Sequence, residues 1–347
     1  MIFYTWNRYH KGGIKIATIK DVAKLAGLSV STVSRYLNNH PYITDEKREK
    51  IQKAMETLDY VPSSVATTLR SNKGKMIGVL VSRITNPYFS YLIDAMEKVI
   101  KAKGYTLLIV QTYDDEKAEF KMLEMLKQKM INGLIMCSVE NSSEIIEFYC
   151  KYGPIVICNQ RVDSSEVHQI TTDQEKITYE AIKYLFSKGY KKIAYCTGGS
   201  FSLKSHGLLR NNGFKKAMEE NNKIIDSRDI FENIHTIEDG YKIADILIKN
   251  SDENWPDAIF TGSDEVASGL IIKLLEYGKK IPEDIAVMGF DNQPFSNMVA
   301  VPITTVSQPV EALGRESAKL ILSLLNNEEY YIKKEELTLK IIERKSV

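Results

Sequence analysis

The chain has 347 residues, 44% of them hydrophobic and 26% charged, with 46 Lys or Arg against 45 Asp or Glu. That length is long for one domain and suits a small module joined to a larger one. No run of 18 apolar residues occurs, and the opening MIFYTWNRYHKGGIKIA lacks an apolar signal-peptide core and a small-residue cleavage site, so membrane insertion and secretion are excluded as expectations and a cytoplasmic protein is predicted.

The net charge of +1 says nothing by itself about nucleic acid, but its distribution does. Ten Lys or Arg face six Asp or Glu between Thr18 and Lys75, the first 17 residues add three more positive charges, and everything after Lys75 is left net negative. Positive charge therefore gathers where phosphate would be met, and the larger part repels it.

In chain order, Thr18 followed three residues later by Asp21 has capping-box spacing and predicts a helix from Ile19, with Val22, Leu25 and Ala26 on its apolar stripe. Gly27 supplies the positive φ that ends it, and Ser29 caps a second helix from Val30 to about Leu37. Val33 and Leu37 point inward at i, i+4, which leaves Val30, Ser31, Ser34 and Arg35 outward, with Thr32 beside them. A small, polar, singly cationic face at a helix start suits a DNA major groove. A third helix is predicted over Thr44 to Leu58, capped by Thr44, with Ile51, Ala54, Met55 and Leu58 inside. A generic helical hairpin with a solvated charged face would read the same way.

After Pro62, Ser63 or Ser64 opens a short helix through Arg70, too short to be stable alone. From Met76 the pattern becomes short apolar runs alternating with amphipathic helices. MIGVLVS, YTLLIVQT, GLIMCS, IVIC, HQITT, KIAYCT, AIF, IAVMGF and ITTVSQ read as buried strands. Helices fit at Tyr88 to Ala102, Glu116 to Lys129, Gln174 to Lys188, Leu208 to Glu220, Asp239 to Lys249, Val266 to Tyr277 and Val310 to Leu325. Such alternation predicts parallel sheets covered by helices, and this many strands need two of them. Cys137, Cys158 and Cys196 lie in apolar runs and, with Cys150, form no CxxC pair, so they read as reduced core residues. Enzyme signatures are missing: the five histidines make no paired metal spacing, no GxSxG or Walker-type loop occurs, and Gly198-Gly199-Ser200 is too short for a dinucleotide fingerprint. No cofactor is predicted.

The stretch TIKDVAKLAGLSVSTVSRYLN, followed by TDEKREKIQKAMETLDYVPSSVATTLRSNK, resembles the headpiece of the LacI/GalR family of bacterial repressors nearly residue for residue, with Leu28 for the usual Val and Ser63 for the usual Asn. The resemblance implies a small all-α helix-turn-helix headpiece and a two-lobed periplasmic-binding-protein-like α/β core. On that frame residues 1–17 are an extension, either a disordered basic arm or a non-native over-long start, since Lys-Gly-Gly is what a purine-rich ribosome-binding site would encode. Residues 18–62 form the DNA-binding domain, 63–75 a hinge helix and linker, and 76–347 the core. Within the core, lobe 1 covers about 76–173 and 304–335 and lobe 2 about 174–303 and 336–347, with crossings near Thr172-Asp173, Pro302 to Thr305 and Lys334 to Leu337. The resemblance also implies that Leu69 wedges into a central base step while Ala66 and Arg70 lie along the minor groove.

Ligands of such folds sit at the carboxyl ends of strands, between the lobes. Asp291, an exposed carboxylate position after IAVMGF, is implied as the acid that takes ligand hydroxyls, and Arg210 of RNNGF faces the same cleft. A cation at a helix start opposes the dipole, which favours a binding role for Arg210. Asn159 after IVIC, and Ser263 with Asp264 after AIFTG, are further candidates that could equally cap turns. Tyr88 and Phe89 either stack on a ligand ring or simply open the first core helix, and His235 falls where relatives carry an aromatic lid. The implied protein is a homodimer that binds a pseudo-palindromic operator in double-stranded DNA, represses carbohydrate-utilisation genes and answers to a sugar or sugar phosphate. A small-molecule binding protein acting without DNA, or a regulator with a purine or protein co-regulator, are the alternatives.

Overall fold

The computed structural model describes residues 17–37, 40–60, 75–201, 207–249 and 255–347. The expectations for residues 1–16 and for the hinge residues Ala66, Leu69 and Arg70 lie outside them. The chain divides into two compact units, Met1–Gly74 and Lys75–Val347.

The first unit contains α1 (Ile19–Ala26), α2 (Val30–Leu37) and α3 (Asp45–Thr57). Both halves of the predicted capping box are formed: the Asp21 amide donates to Thr18 Oγ1 at 3.4 Å, and the Thr18 amide donates to Asp21 Oδ2 at 2.9 Å. Gly27 ends α1 at φ 65°, and the Thr32 amide donates to Ser29 Oγ at 3.2 Å to start α2. Two expectations are corrected. Leu25 is 52% exposed and Ala23 takes its place in the core, because a helix this short buries only a narrow stripe, here Val22, Ala23 and the partly covered Ala26. Thr44 has N-cap backbone angles but its side chain caps nothing; Asp45 and Glu46 in the first turn supply the favourable charge instead. Val22, Ala23, Val33, Ile51 and Ala54 form one core that draws on all three helices.

The second unit holds two sheets. The first, in order β2-β1-β3-β4-β5, comprises β1 (Met76–Val81), β2 (Thr106–Gln111), β3 (Gly133–Met136), β4 (Ile155–Cys158) and β5 (His168–Ile170), all parallel. Its helices are α4 (Pro87–Ala102), α5 (Glu116–Lys127), α6 (Ser143–Cys150) and, from much later in the chain, α11 (Val310–Asn326). The pleat sends Ile77, Val79 and Val81 to the α4 and α11 side, and Leu80 to the α5 and α6 side. Both faces are covered, which is why these strands read as continuous apolar runs.

The second sheet, in order β11-β10-β9-β8-β6-β7, comprises β6 (Ile193–Cys196), β7 (Ile230–Phe231), β8 (Ala258–Phe260), β9 (Ala286–Asp291), β10 (Thr304–Ser307) and β11 (Lys340–Ile342). Only β11 runs antiparallel. Its helices are α7 (Gln174–Ser187), α8 (Leu208–Glu220), α9 (Ile237–Lys249) and α10 (Asp264–Glu276). One expected boundary is corrected. β10 pairs in register with β9, and Val306 packs in the second lobe's core, so the chain leaves that lobe after Ser307 rather than near Pro302 to Thr305. The third crossing falls between Leu337, in the first lobe's core, and Leu339, against the second's. Among the described residues no helix is long and apolar enough to cross a membrane, and all four cysteines are free.

Candidate functional sites in the headpiece and the interlobe cavity

In the first unit, Val30, Ser31 and Arg35 are exposed on one face of α2, while Thr32 and Ser34 are half-buried. The Ser31 and Thr32 hydroxyls each lie 2.8 Å from Ser29 Oγ, which fixes their rotamers. The result is a pre-set polar surface carrying one cation at its end.

In the second unit, a cavity of about 160 Å³ lies between the lobes at the carboxyl ends of β1, β3, β4, β6 and β9. Tyr88, Phe89, Asn159, Arg210, Ser263, His235 and Asp291 all line it. Asp264 does not. Its side chain is fully buried behind the wall, where Oδ1 accepts from Thr305 Oγ1 at 2.6 Å and Oδ2 accepts from the Gln293 amide at 2.7 Å. Those bonds tie α10 to β10 and to the loop after β9, which is a structural task.

Asp291 departs from expectation in one respect: it is 8% exposed, buried at the end of its strand rather than open. Its φ is 104°, a left-handed backbone that a non-glycine residue adopts only where its surroundings hold it. Oδ1 accepts from Gln308 Nε2 at 2.6 Å and Oδ2 from Gln293 Nε2 at 3.3 Å. Burial pushes its carboxyl up to about 7, although the Arg210 guanidinium and the two glutamine bonds pull the other way. Asp264 is pushed up to about 8 by burial, with the neighbouring Asp291 charge adding to it.

Arg210 stands in the first turn of α8. Its Nη1 donates to the Gly262 carbonyl at 2.9 Å, and its guanidinium carbon lies 4.3 Å from the centre of the Phe290 ring. That stacking holds a planar cation where the helix dipole disfavours it. Its Nε is buried with no protein partner, an unsatisfied donor in the cavity wall. Asn159, also left-handed at φ 57°, donates from Nδ2 to Tyr88 Oη at 2.8 Å and to Gln308 Oε1 at 2.7 Å. Ser263 caps α10 through the Val266 amide at 3.3 Å while bordering the cavity. His235 enters through close contact with Gly198: a Cβ there would sit 3.1 Å from His235 Cε1.

Several lining groups escape a sequence reading. Arg83 and Asp114 follow β1 and β2 and pair at 2.7 Å, with Ser82 Oγ donating to Asp114 Oδ1 at 2.6 Å. Burial raises the Asp114 carboxyl, but the Ser82 and Arg83 bonds outweigh it and hold the group below its ordinary value. The rule that points to Asp291, polar residues just past a buried strand, applies to Arg83 after β1 and to Gln308 after β10, whereas β2 before Asp114 is an edge strand with no buried residue. Among the described residues no cluster of His, Cys, Asp or Glu could hold a metal ion.

A three-helix unit with a polar, singly cationic helix face, on the same chain as a two-lobed module that encloses a polar cavity, defines a ligand-responsive DNA-binding regulator. Residues 18–63 match the profile of bacterial regulatory proteins of the lacI family, and residues 182–347 that of a periplasmic binding protein-like domain. The chain belongs to the LacI family and is a transcriptional regulator, not an enzyme. It is 38% identical over 330 residues to the NTD biosynthesis operon regulator NtdR of Bacillus subtilis, covering 95% of this chain and 99% of that one. It is 35% identical over 335 residues to the HTH-type transcriptional repressor PurR of Vibrio atlanticus, covering 96% and 99%. A LacI family regulator from Lactobacillus casei, solved with bound glucose, aligns with a TM-score of 0.74 at 36% identity over 78% of this chain and 99% of that one. The lac repressor dimer bound to operator and the anti-inducer ONPF has the same fold, with a TM-score of 0.73 over 96% of this chain and 99% of that one at 24% identity.

Proposed function

We propose that the protein is a repressor of carbohydrate-utilisation genes, working in the cytoplasm as a homodimer on a pseudo-palindromic operator. Val30, Ser31, Thr32, Ser34 and Arg35 read the major groove. Ala66, Leu69 and Arg70, outside the described residues, serve the minor groove. A sugar or sugar phosphate enters the cavity, takes hydroxyl contacts from Asp291 and Arg210 with Asn159, Ser263, Tyr88, Phe89 and His235 around it, and alters the angle between the lobes. Asp264 acts behind these groups rather than on the ligand.

The observation that carries the reading is the pairing of a buried acid with an unsatisfied, ring-stacked guanidinium donor in one small polar cavity between the lobes. Acceptor and donor side by side match the vicinal hydroxyls of a carbohydrate, and the Lactobacillus casei relative holds glucose. The test is a thermal-shift screen against free sugars, phosphorylated sugars, nucleosides and purine bases, repeated with Asp291→Ala. The expected result is a sugar that raises the melting temperature of the parent and not of the variant, since a ligand stabilises the state it binds. A shift only with purine bases, or one that survives in Asp291→Ala, overturns the assignment.

A further inference from the structure

The two oxygens of Asp291 are already occupied, and by a matched pair of residues. Gln308 Nε2 donates to Oδ1 at 2.6 Å, while Gln308 Oε1 accepts from Asn159 Nδ2 at 2.7 Å. Gln293 Nε2 donates to Oδ2 at 3.3 Å and also to Asn86 Oδ1 at 2.9 Å. Asn159 follows β4 and Asn86 caps α4, so both asparagines belong to the first lobe, whereas Asp291 and Gln293 belong to the second and Gln308 sits on the crossing between them. Each carboxylate oxygen of the acid is thus linked, through one glutamine, to one side chain of the opposite lobe.

We propose that Gln293 and Gln308 are the positioning residues that convert occupancy of the cavity into a change in the lobe-to-lobe arrangement. The inference rests on Asp291 being the effector acid. A hydroxyl that donates to Asp291 competes with a glutamine amide for the same oxygen. The displaced amide then shifts its hold on Asn86 or Asn159, so the bond across the lobes changes whenever the ligand bond forms. The surroundings make this sensitive. The Gln293 side-chain oxygen is buried with no protein partner, so that side chain is held on one side only. Gln293 is also anchored at its amide by Asp264, which keeps its backbone fixed while the side chain switches. Gln308 and Gln293 are themselves 8% and 3% exposed, so solvent does not compete for these bonds.

The test uses the full chain with Gln293→Leu, Gln308→Leu and the double substitution, which remove the bridging amides and nearly preserve volume. In ligand-free protein, hydrogen exchange is followed at the first turn of α4, next to Asn86. Gln293→Leu is expected to speed exchange there several-fold although the substitution is in the other lobe; unchanged exchange overturns the latch. With the sugar found in the screen above, calorimetry on Gln293→Leu, whose residue does not line the cavity, is expected to show affinity within about threefold of the parent. Over the same variants, the effect of that sugar on operator affinity, read by fluorescence anisotropy on a selected palindromic duplex, is expected to fall toward unity in the double variant. Full retention of that effect overturns the proposal, as does outright loss of sugar binding, which would make the glutamines direct ligand contacts. If the parent binds none of the sugars, the carbohydrate reading fails and the exchange measurement still decides the latch.

Discussion

At the scale of single residues the most informative groups are the two acids buried around β9. Asp291 and Asp264 have folded-state carboxyls raised to about 7 and about 8, above the ordinary value of about 4 for an unfolded Asp. The folded state therefore binds more protons than the unfolded one between those limits, and stability falls as pH rises through that window. One proton is worth up to about 1.4 kcal/mol per pH unit. Melting curves between pH 5 and 7.5 are expected to show a decline in stability that Asp291→Asn makes shallower. An equal slope in the variant would mean that Asp291 keeps its charge throughout. In the headpiece, Arg35 is the exposed cation at the end of α2. Arg35→Ala is expected to cost about 1–3 kcal/mol on the selected operator and to relax base preference. Equal losses on selected and random duplexes would reduce Arg35 to a phosphate contact.

At the scale of elements, helix pairs in the core are brought together by glycines. In α10, a Cβ on Gly269 would stand 2.1 Å from the Ile237 carbonyl of α9, and on Gly240 of α9 it would stand 2.4 Å from the Val266 carbonyl. Replacing an exposed helical glycine by alanine usually stabilises by about 1 kcal/mol. Here the neighbouring backbone forbids it, and Gly269→Ala is expected to destabilise by about 1–3 kcal/mol or more, seen as a lower urea midpoint. The longer elements were legible because their apolar periodicity is local. α6 and β7 were not: α6 is as short as α1 but lacks a capping box like that of Thr18 and Asp21 to mark its start, while β7 has only two residues. β10 is legible as a strand, but nothing in ITTVSQ tells that it joins the second sheet rather than the first. The site divides the same way. Residues at strand ends could be read one by one, whereas the bonds among them join positions as far apart as Asn159 and Gln308, and pairing over 149 residues leaves no mark in either segment. For Asp264 the sequence leaves both a cavity contact and a structural role open, because it cannot say whether an acid after a strand faces the cavity or turns behind it.

At the scale of the whole molecule, two features bear on DNA binding: positive charge gathers in the first 75 residues, and the α2 face proposed to read bases carries few exposed side chains. One such face spans too few base pairs for useful specificity, while two related by a dyad read a palindrome. The protein is accordingly expected to sediment as a dimer at micromolar concentration, and a monomer under those conditions would remove the basis for a palindromic operator.

The pairing of β11 with β10 has a consequence for how the protein is made. Ser346 is fully buried; its hydroxyl accepts from the Thr304 amide at 2.8 Å and donates to the Val287 carbonyl at 2.5 Å. The first lobe likewise waits for α11, which packs against α4 more than 200 residues upstream. A nascent chain that has not yet reached α11 thus carries neither lobe in finished form, the first waiting for α11 and the second for β11. A chain cut before β11 would keep α1 to α3 but leave the second sheet open, a product for proteases to clear rather than a partly working regulator.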